Sequence, residues 1–179
     1  MSNWLNGSAF NEKDEYYTPK MMVDVILPFI PKGSTVWCPF DTQESEFVYG
    51  FKENHNVIHS HIWEGKSFFD YEPDNYDFIV SNPPFTAKLN VLKRLYKLNK
   101  PFAMILPLPI LNYQEIGSFF IGKELQLLIV DKKVSFNGKP SSFNCSYFCR
   151  GILDKDLTFV NIENTNVGKY YKPSRMEKI

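Results

Sequence analysis

Apolar residues occur along this chain in short runs that glycine, proline or polar residues interrupt. Four of these runs have the length and boundaries typical of buried strands: STVWCPF (34–40), NVIHSHI (56–62), YDFIVSN (76–82) and FAMILPLPIL (102–111). Two later runs predict two further strands, and antiparallel pairing is considered for them: LQLLIVDKKVSF (125–136) and SSFNCSYFCRGIL (141–153).

Segments with apolar residues at helical spacing separate the predicted strands. They are KMMVDVILPFI (20–30), TQESEFVYGFKEN (42–54), TAKLNVLKRLYKLN (86–99) and NYQEIGSFFIG (112–122). Thr18 is predicted to cap the first helix, with Pro19 in its first turn. Thr42 is predicted to cap the second helix, with Glu46 near its first turn.

The alternation of strands and helices predicts an α/β fold with a mixed, mostly parallel sheet and helices on both faces. The chain shows no linker, internal repeat or low-complexity tract, and its length suits one core. We therefore predict a single domain over residues 1–179. Residues 1–18 are expected to be an irregular N-terminal segment, and residues 165–179 a frayed tail.

Prolines mark one edge of the predicted sheet. Pro39, Pro83 and Pro107 each fall near the end of a predicted strand, where a residue without an N–H ends strand pairing. In open α/β sheets ligands bind beyond the carboxyl ends of the strands. A binding site is therefore expected at this edge.

Composition and charge limit the binding partners and the cellular location that can be expected for this chain. The 20 basic and 20 acidic residues give a formal net charge of zero, which argues against strong nonspecific attraction to nucleic acid or anionic membranes. The three cysteines, Cys38, Cys145 and Cys149, lack zinc spacing and are predicted to be buried thiols in a reducing compartment. No signal core or membrane-length apolar stretch is visible, so a cytoplasmic location without membrane contact is expected.

The segment Asn82-Pro83-Pro84-Phe85 has the residue types that chemistry on an amino group of a flat base needs. The Asn82 side chain and a neighbouring backbone carbonyl offer two acceptors, which suit one exocyclic NH2 group. Accepting both hydrogens draws that nitrogen toward tetrahedral geometry and frees its lone pair. Phe85 offers a ring for stacking. The alternative is a loop in which Pro-Pro only ends a strand.

Four segments together resemble a known family. SNPPF (81–85) resembles the catalytic Asn/Asp/Ser-Pro-Pro-Tyr/Phe tetrad of S-adenosylmethionine-dependent amino-methyltransferases, and its place after the third predicted strand also matches. DEYYTP (14–19) resembles a segment at the start of many phage N6-adenine DNA methyltransferases. VWCPFDTQESEF (36–47) resembles their first cofactor strand and turn, and SSFNCSYFCRGIL (141–153) resembles the late strand that often holds an aromatic near the flipped base.

The resemblance implies a small, divergent, phage-type enzyme with a Rossmann-like methyltransferase fold, located in the host cytoplasm. Its reaction would move a methyl group from S-adenosylmethionine to the N6 amino group of an adenine extruded from DNA. DNA is then the expected partner and RNA the second candidate. The oligomeric state stays open, with a homodimer among the arrangements considered.

The resemblance also implies a role for each matching residue. Asn82 and the Pro83 carbonyl would accept hydrogen bonds from the amino group, Phe85 would stack on the base, and Pro84 completes the tetrad. The cofactor would contact a larger set of residues: Tyr17, Thr18, Pro19, Pro39, Phe40, Asp41, Ser67, Phe68 and Ser81. No metal is implied.

The segments that the resemblance assigns to cofactor binding depart from the family pattern. The turn CPFDTQES has no glycine, and Thr42 and Gln43 would crowd a close approach of the cofactor to the backbone. The second strand lacks the usual acidic end and offers Ser60, His61 or Glu64 instead. Two alternatives therefore stay open. One is a catalytically impaired methyltransferase-like binding protein, and the other is an amino-methyltransferase acting on RNA or protein glutamine.

Two further patterns have ordinary interpretations. His59 and His61 alternate on one strand, but no carboxylate or cysteine completes a zinc set, so surface or pocket histidines are predicted. The predicted helix over 86–99 and its end carry five basic residues, for which a solvated face is favoured over a phosphate-binding patch.

Overall fold

A seven-stranded sheet forms the centre of the computed structural model, which describes residues 17–136 and 144–162. The strands are β1 (Thr35–Cys38), β2 (Asn56–His59), β3 (Phe78–Ser81), β4 (Phe102–Pro107), β5 (Gln126–Val130), β6 (Cys145–Arg150) and β7 (Leu157–Val160). They are ordered β2-β1-β3-β4-β6-β5-β7 across the sheet. Only β6 pairs antiparallel with its neighbours, β4 and β5, so the sheet is mixed and mostly parallel.

Four α-helices flank the described strands: α1 (Lys20–Ile26), α2 (Glu46–Lys52), α3 (Lys88–Leu98) and α4 (Gln114–Phe120). Helices α1 and α2 bury Met22, Val23 and Phe47 in a first core cluster, while α3 and α4 bury Leu92 and Ile116 in a second. The helices therefore cover both faces of the sheet, two on each.

Alternation along β1 shows how one strand serves both cores. Val36 and Cys38 belong to the first cluster, while Trp37 between them belongs to the second. The Trp37 ring is fully buried, with its centroid 5.5 Å from that of Phe68 and 5.1 Å from that of Tyr76. Because helices cover both faces of the sheet, consecutive residues of β1 are buried and apolar.

The predicted α/β class, the mostly parallel sheet and the helices on both faces are confirmed. One strand, β7, was not predicted from the sequence. Its four residues alternate between exposed and half-buried, because it is the outermost strand beside β5. The apolar run at 125–136 is a strand only as far as Val130.

Both helix caps predicted from the sequence are wrong. Helix α1 begins at Lys20 with Pro19 in the cap position, and no side chain caps it. Ser45 caps α2, because its Oγ accepts a hydrogen bond from the Val48 N–H at 3.4 Å. Thr42 instead accepts a backbone bond from Ser45 at 3.1 Å, in the turn that precedes the helix.

Within the described residues, no helix is both long enough and apolar enough to cross a membrane.

Helices α1 and α2 meet closely at Gly50. A Cβ added there would lie 2.6 Å from Cγ1 of Val23, which is fully buried. We expect Gly50→Ala to destabilise the fold by about 1 kcal/mol, because overpacking outweighs the helix propensity that alanine adds. Urea unfolding measures this change.

A double substitution isolates the contact between Gly50 and Val23. In a Val23→Ala background the obstructing methyl is absent, so Gly50→Ala should instead stabilise by up to about 1 kcal/mol. The same destabilisation in both backgrounds would show that the contact with Val23 does not set the cost.

Candidate active site

Polar and aromatic residues follow the carboxyl ends of neighbouring parallel strands. Pro39, Phe40 and Asp41 follow β1, and Asn82 follows β3 directly. Because β1 and β3 are parallel partners, both groups lie at the same edge of the sheet. The edge predicted from the prolines is thus where the two segments of interest come together.

A hydrogen bond ties the turn after β1 to the end of β3. Ser81 is fully buried, and its Oγ donates to the carboxylate of Asp41, which is only 7% exposed. The Phe40 N–H donates to the same Ser81 Oγ at 3.3 Å. Two residues that the sequence assigns to cofactor binding, Asp41 and Ser81, therefore contact each other across 40 positions of the chain.

The charge of Asp41 also affects its buried surroundings. Burial raises the pKa of the Cys38 thiol well above its ordinary value, and the nearby Asp41 carboxylate adds to the rise. Burial also raises the Tyr147 pKa well above its ordinary value, and the nearby Cys149 and Asp41 groups add to the rise. The Tyr147 hydroxyl donates to the Met22 carbonyl at 2.7 Å, so a side chain of β6 is bonded to the backbone of α1.

The predicted tetrad forms a sharp connection between β3 and α3. Asn82 is half-buried and its Oδ1 atom is buried, while Pro83 is buried beside it. Pro84 has an extended backbone (φ −60°, ψ 128°) and precedes a 3₁₀ turn at Phe85–Ala87. Two consecutive prolines limit the backbone here to few conformations, so Asn82 is presented on a stiff segment.

Phe85 lies where the two cores meet at the edge of the sheet. Its ring is half-buried and packs against both the first and the second core cluster. The Phe85 carbonyl accepts a hydrogen bond from Lys88 Nζ at 3.2 Å. Packing from both cores supports the ring while part of it stays accessible.

Ser67 and Phe68 lie on the second-core side, with Phe68 2% exposed. The Phe68 ring centroid is 4.9 Å from that of Phe40, so Phe68 supports the partly exposed Phe40 from within the core. The Ser67 Oγ accepts from the Phe69 N–H at 3.3 Å. In this structure Phe68 reaches the site through Phe40.

Arg94 is a residue of this region that sequence reasoning missed. Its guanidinium donates to the carbonyls of Phe69 at 2.9 Å and Tyr71 at 3.2 Å, and lies 5.4 Å from the Phe68 ring centroid. The signal in the sequence is weak: Arg94 is next to Leu95 and three residues after Val91, both on the buried side of α3. A charge at that position is expected to find partners in the fold.

We expect Arg94→Ala to lower the free energy of unfolding by about 2–3 kcal/mol, because two carbonyls lose a charged donor and Phe68 loses its cover. Denaturant titration gives the value. Lys93→Ala, an exposed neighbour on the same helix, should change stability by less than about 0.5 kcal/mol. Equal effects of the two substitutions would show that the bonds from Arg94 contribute nothing.

The other basic residues near α3 are spread around the helix. Lys88 contacts the Phe85 carbonyl and Lys100 lies 5.3 Å from the Tyr76 ring centroid, while Lys93 and Lys97 are exposed. Three of the five predicted basic residues, Arg94 included, therefore contact other parts of the chain.

At the start of the described chain, Tyr17 is half exposed, while Thr18 and Pro19 are buried. The rest of DEYYTP (14–16) lies outside the described residues, as do residues 1–13 of the predicted N-terminal segment, positions 141–143 of the late segment and the predicted tail at 165–179.

The three histidines lie close to polar groups of the fold, and His55 and His61 are within hydrogen-bond distance of backbone groups. His55 lies 3.3 Å from the carbonyl oxygens of both Phe51 and Ile30, and His61, which is 3% exposed, accepts from the Trp63 N–H. His59 Nδ1 is 3.5 Å from a Glu64 carboxylate oxygen. Within residues 17–136 and 144–162, no group of three or more His, Cys, Asp or Glu side chains could hold a metal ion.

No family model and no curated protein matches this sequence. Two solved structures are similar in fold at 14% identity. One is a modification subunit of a putative type I restriction enzyme from Vibrio vulnificus YJ016 (TM-score 0.54, covering 91% of this chain and 50% of that one). The other is the methyltransferase subunit of a type I restriction-modification system from Streptococcus thermophilus (TM-score 0.50, covering 82% and 47%).

This chain spans about half the length of both solved structures. At this level of identity the likeness concerns the fold alone. The chain shares the Rossmann-like α/β fold of these two subunits, and the segment 82–85 follows the carboxyl end of β3 in its sheet.

Proposed function

We propose that this protein is an S-adenosylmethionine-dependent methyltransferase that methylates the N6 amino group of adenine in DNA. One observation carries the proposal: the Asn-Pro-Pro-Phe tetrad follows β3 directly and is linked through Ser81 and Asp41 to the turn after β1. The reacting amino group and the methyl donor must meet at one place, and this link brings the two segments proposed to bind them together.

The turn after β1 suits the cofactor although it contains no glycine. Asn99 is the only non-glycine residue with positive φ in the described chain, so residues 39–45 need no glycine for their backbone path. Of the two residues expected to crowd the cofactor, Gln43 is exposed and lies on the solvent side of the turn, while Thr42 is half-buried. The buried Asp41 carboxylate suits a ligand with a positively charged sulfur and amino group.

When bound, S-adenosylmethionine supplies a methyl group on that positively charged sulfur. The residues proposed to hold it lie after β1, at the end of β3, before α1 and around position 67: Tyr17, Thr18, Pro19, Pro39, Phe40, Asp41, Ser67 and Ser81. Phe68 contributes by supporting Phe40 from the core.

The tetrad would prepare the adenine for reaction. Asn82 Oδ1 and the Pro83 carbonyl would accept the two N6 hydrogens, which localises the lone pair on nitrogen for attack. Phe85, supported by both cores, would stack on the purine and hold its plane. Because the prolines stiffen the segment, little reorganisation is needed when the base enters.

A transfer assay tests the proposal. Purified protein is incubated with methyl-labelled S-adenosylmethionine and random-sequence duplex DNA, and the labelled product is digested to nucleosides. Label in N6-methyl-2′-deoxyadenosine is expected. Parallel reactions with RNA and with glutamine-containing protein identify the substrate, and label found only there would overturn the assignment to DNA.

The second candidate is a binding protein without activity, for which the reason is that the turn after β1 lacks the glycines of the family pattern. Calorimetry with S-adenosylmethionine separates it from the enzyme. We expect micromolar affinity or better, about −8 kcal/mol or stronger. An absence of binding, together with an absence of transfer, would favour the binding protein.

A further inference from the structure

An exposed tyrosine lies near the tetrad and has no role in the proposed reaction. Tyr113 is 51% exposed and follows the 3₁₀ turn at Leu108–Asn112, which continues from the carboxyl end of β4. Its N–H donates to the Ile110 carbonyl at 3.0 Å, and its carbonyl accepts from the Gly117 N–H at 2.8 Å. The backbone is thus held on both sides while half of the side chain faces solvent.

Lys88 connects this tyrosine with the tetrad. Its Nζ donates to the Phe85 carbonyl at 3.2 Å and lies 5.8 Å from the centroid of the Tyr113 ring. An ammonium has three N–H donors, so this bond leaves donors for an anionic ligand. A cation and an exposed aromatic ring therefore stand together beside the residue proposed to stack on the adenine.

We propose that Tyr113 and Lys88 bind the DNA strand next to the extruded adenine. The Tyr113 ring would stack on the neighbouring base, and Lys88 would contact the phosphate between that base and the target. This inference rests on the proposed function and adds the residues that hold the flanking nucleotide.

The chemistry of base extrusion supports this assignment. A base that leaves the duplex exposes the face of its neighbour, which an aromatic side chain can cover. The chain has a formal net charge of zero, so binding of DNA depends on a few placed cations more than on a general attraction. Lys88 is such a cation, held at the tetrad itself.

Of the other exposed aromatic residues in the described chain, Tyr17 is already assigned to the cofactor, and the remaining three fit this role less well. Trp63 follows β2, on the far side of β1 from β3, and its ring packs on His61 at 4.5 Å. Phe159 lies on β7, the edge strand at the β5 end of the sheet. Tyr49 on α2 has Lys52 Nζ 5.6 Å from its ring centroid, in the helix pair that covers the opposite face from α3. The Tyr49–Lys52 pair is therefore a matched control for Tyr113–Lys88.

A stacking-sensitive fluorophore tests the inference. The probe is a duplex with random flanks, one adenine opposite an abasic site, and 2-aminopurine beside that adenine. Binding of the wild-type protein should quench the 2-aminopurine, and Tyr113→Phe should retain the quenching. Tyr113→Ala should abolish it and bind about 5- to 100-fold more weakly.

Salt dependence tests the part assigned to Lys88. Lys88→Gln should lower the slope of log affinity against log salt by about 0.9, the value for one phosphate contact. Tyr49→Ala and Lys52→Gln should leave both quenching and slope as in the wild type. The inference would be overturned if substitutions in the Tyr49–Lys52 pair changed quenching and salt slope as much as those in the Tyr113–Lys88 pair. It would also be overturned if the 2-aminopurine were still quenched by Tyr113→Ala.

These readouts need no methyl transfer. If methylation occurs but binding is insensitive to Tyr113, the inference fails and the proposed function stands. If quenching depends on Tyr113 but no label reaches adenine, the proposed function fails and the inference stands. A wild-type protein that does not bind the probe overturns the inference.

Discussion

Asn82→Ala is expected to lower the rate of methyl transfer by about 10²–10³-fold, the loss typical when one positioned hydrogen-bonding group at a reacting centre is removed. The Asn82 Oδ1 would be one of two acceptors for the adenine amino group, and alanine offers none. The effect should fall on the chemical step, because the acceptor matters most when the nitrogen becomes tetrahedral. Single-turnover kinetics with saturating cofactor and DNA measure this step.

Two further variants separate chemistry from folding. Asn56→Ala changes an exposed asparagine at the start of β2, at the opposite edge of the sheet, and should leave the rate unchanged. Asn82→Asp keeps an acceptor oxygen and should retain more activity than Asn82→Ala. An Asn82→Ala protein that unfolds at the wild-type urea concentration and still turns over at the wild-type rate would remove Asn82 from the mechanism.

That the segments after β1 and β3 lie at one edge of the sheet could be predicted from the sequence, because parallel neighbouring strands share an edge. Pro39 and Pro83 marked where two strands end, and in the structure β1 and β3 are adjacent. The contact between Ser81 and Asp41 could not be predicted in the same way. It depends on which side-chain atoms meet across 40 positions, and spacing along the chain carries no information about that distance.

Elements with little burial were the hardest to predict. Strand β7 has only four residues, and Leu157 and Phe159 on it are exposed, so no apolar run distinguishes it from a loop. The caps failed for a related reason. Thr42 and Ser45 are both good capping residues. Which of them caps α2 depends on the residue at which the turn after β1 ends and the helix begins.

Arg94 was expected to face solvent, but it makes contacts within the fold. A basic residue among lysines suggests a solvated helix face, but its long side chain reaches the carbonyls of Phe69 and Tyr71. Those carbonyls lie in an irregular segment whose path is not visible in the sequence. Periodicity predicts which apolar residues are buried, and says much less about polar residues that pair with backbone groups.

The cysteines make the fold sensitive to alkaline pH, and this is the largest stability effect we expect. All three thiols are free and buried. Burial raises the pKa of Cys145 to about 12 and also raises those of Cys149 and Cys38, where the Asp41 charge adds to the effect. In the unfolded chain these thiols titrate near their ordinary pKa of about 8.5.

The sign follows from which state binds more protons. Above about pH 8.5 the unfolded chain loses thiol protons that the folded chain keeps, so unfolding becomes more favourable as pH rises. Each thiol should cost about 2 kcal/mol between pH 8 and pH 10, and the three together about 6 kcal/mol. The stabilisation that comes from the three protonated thiols is fully present below their pKa in the unfolded chain. It is lost as the pH rises from that value toward their pKa in the folded chain.

Urea unfolding at a series of pH values from 7 to 10, in the presence of a phosphine reductant, measures this loss. Cys149→Ala should reduce the slope of unfolding free energy against pH above pH 9 by about one quarter to one third, since one of three titrating thiols is gone while Tyr76, Tyr96 and Tyr147, whose pKa values burial also raises, still contribute. Comparing slopes removes the separate, pH-independent cost of the smaller side chain in the core. A wild-type protein as stable at pH 10 as at pH 8, or an unchanged slope in Cys149→Ala, would show that these thiols ionise as readily in the folded chain as in the unfolded one.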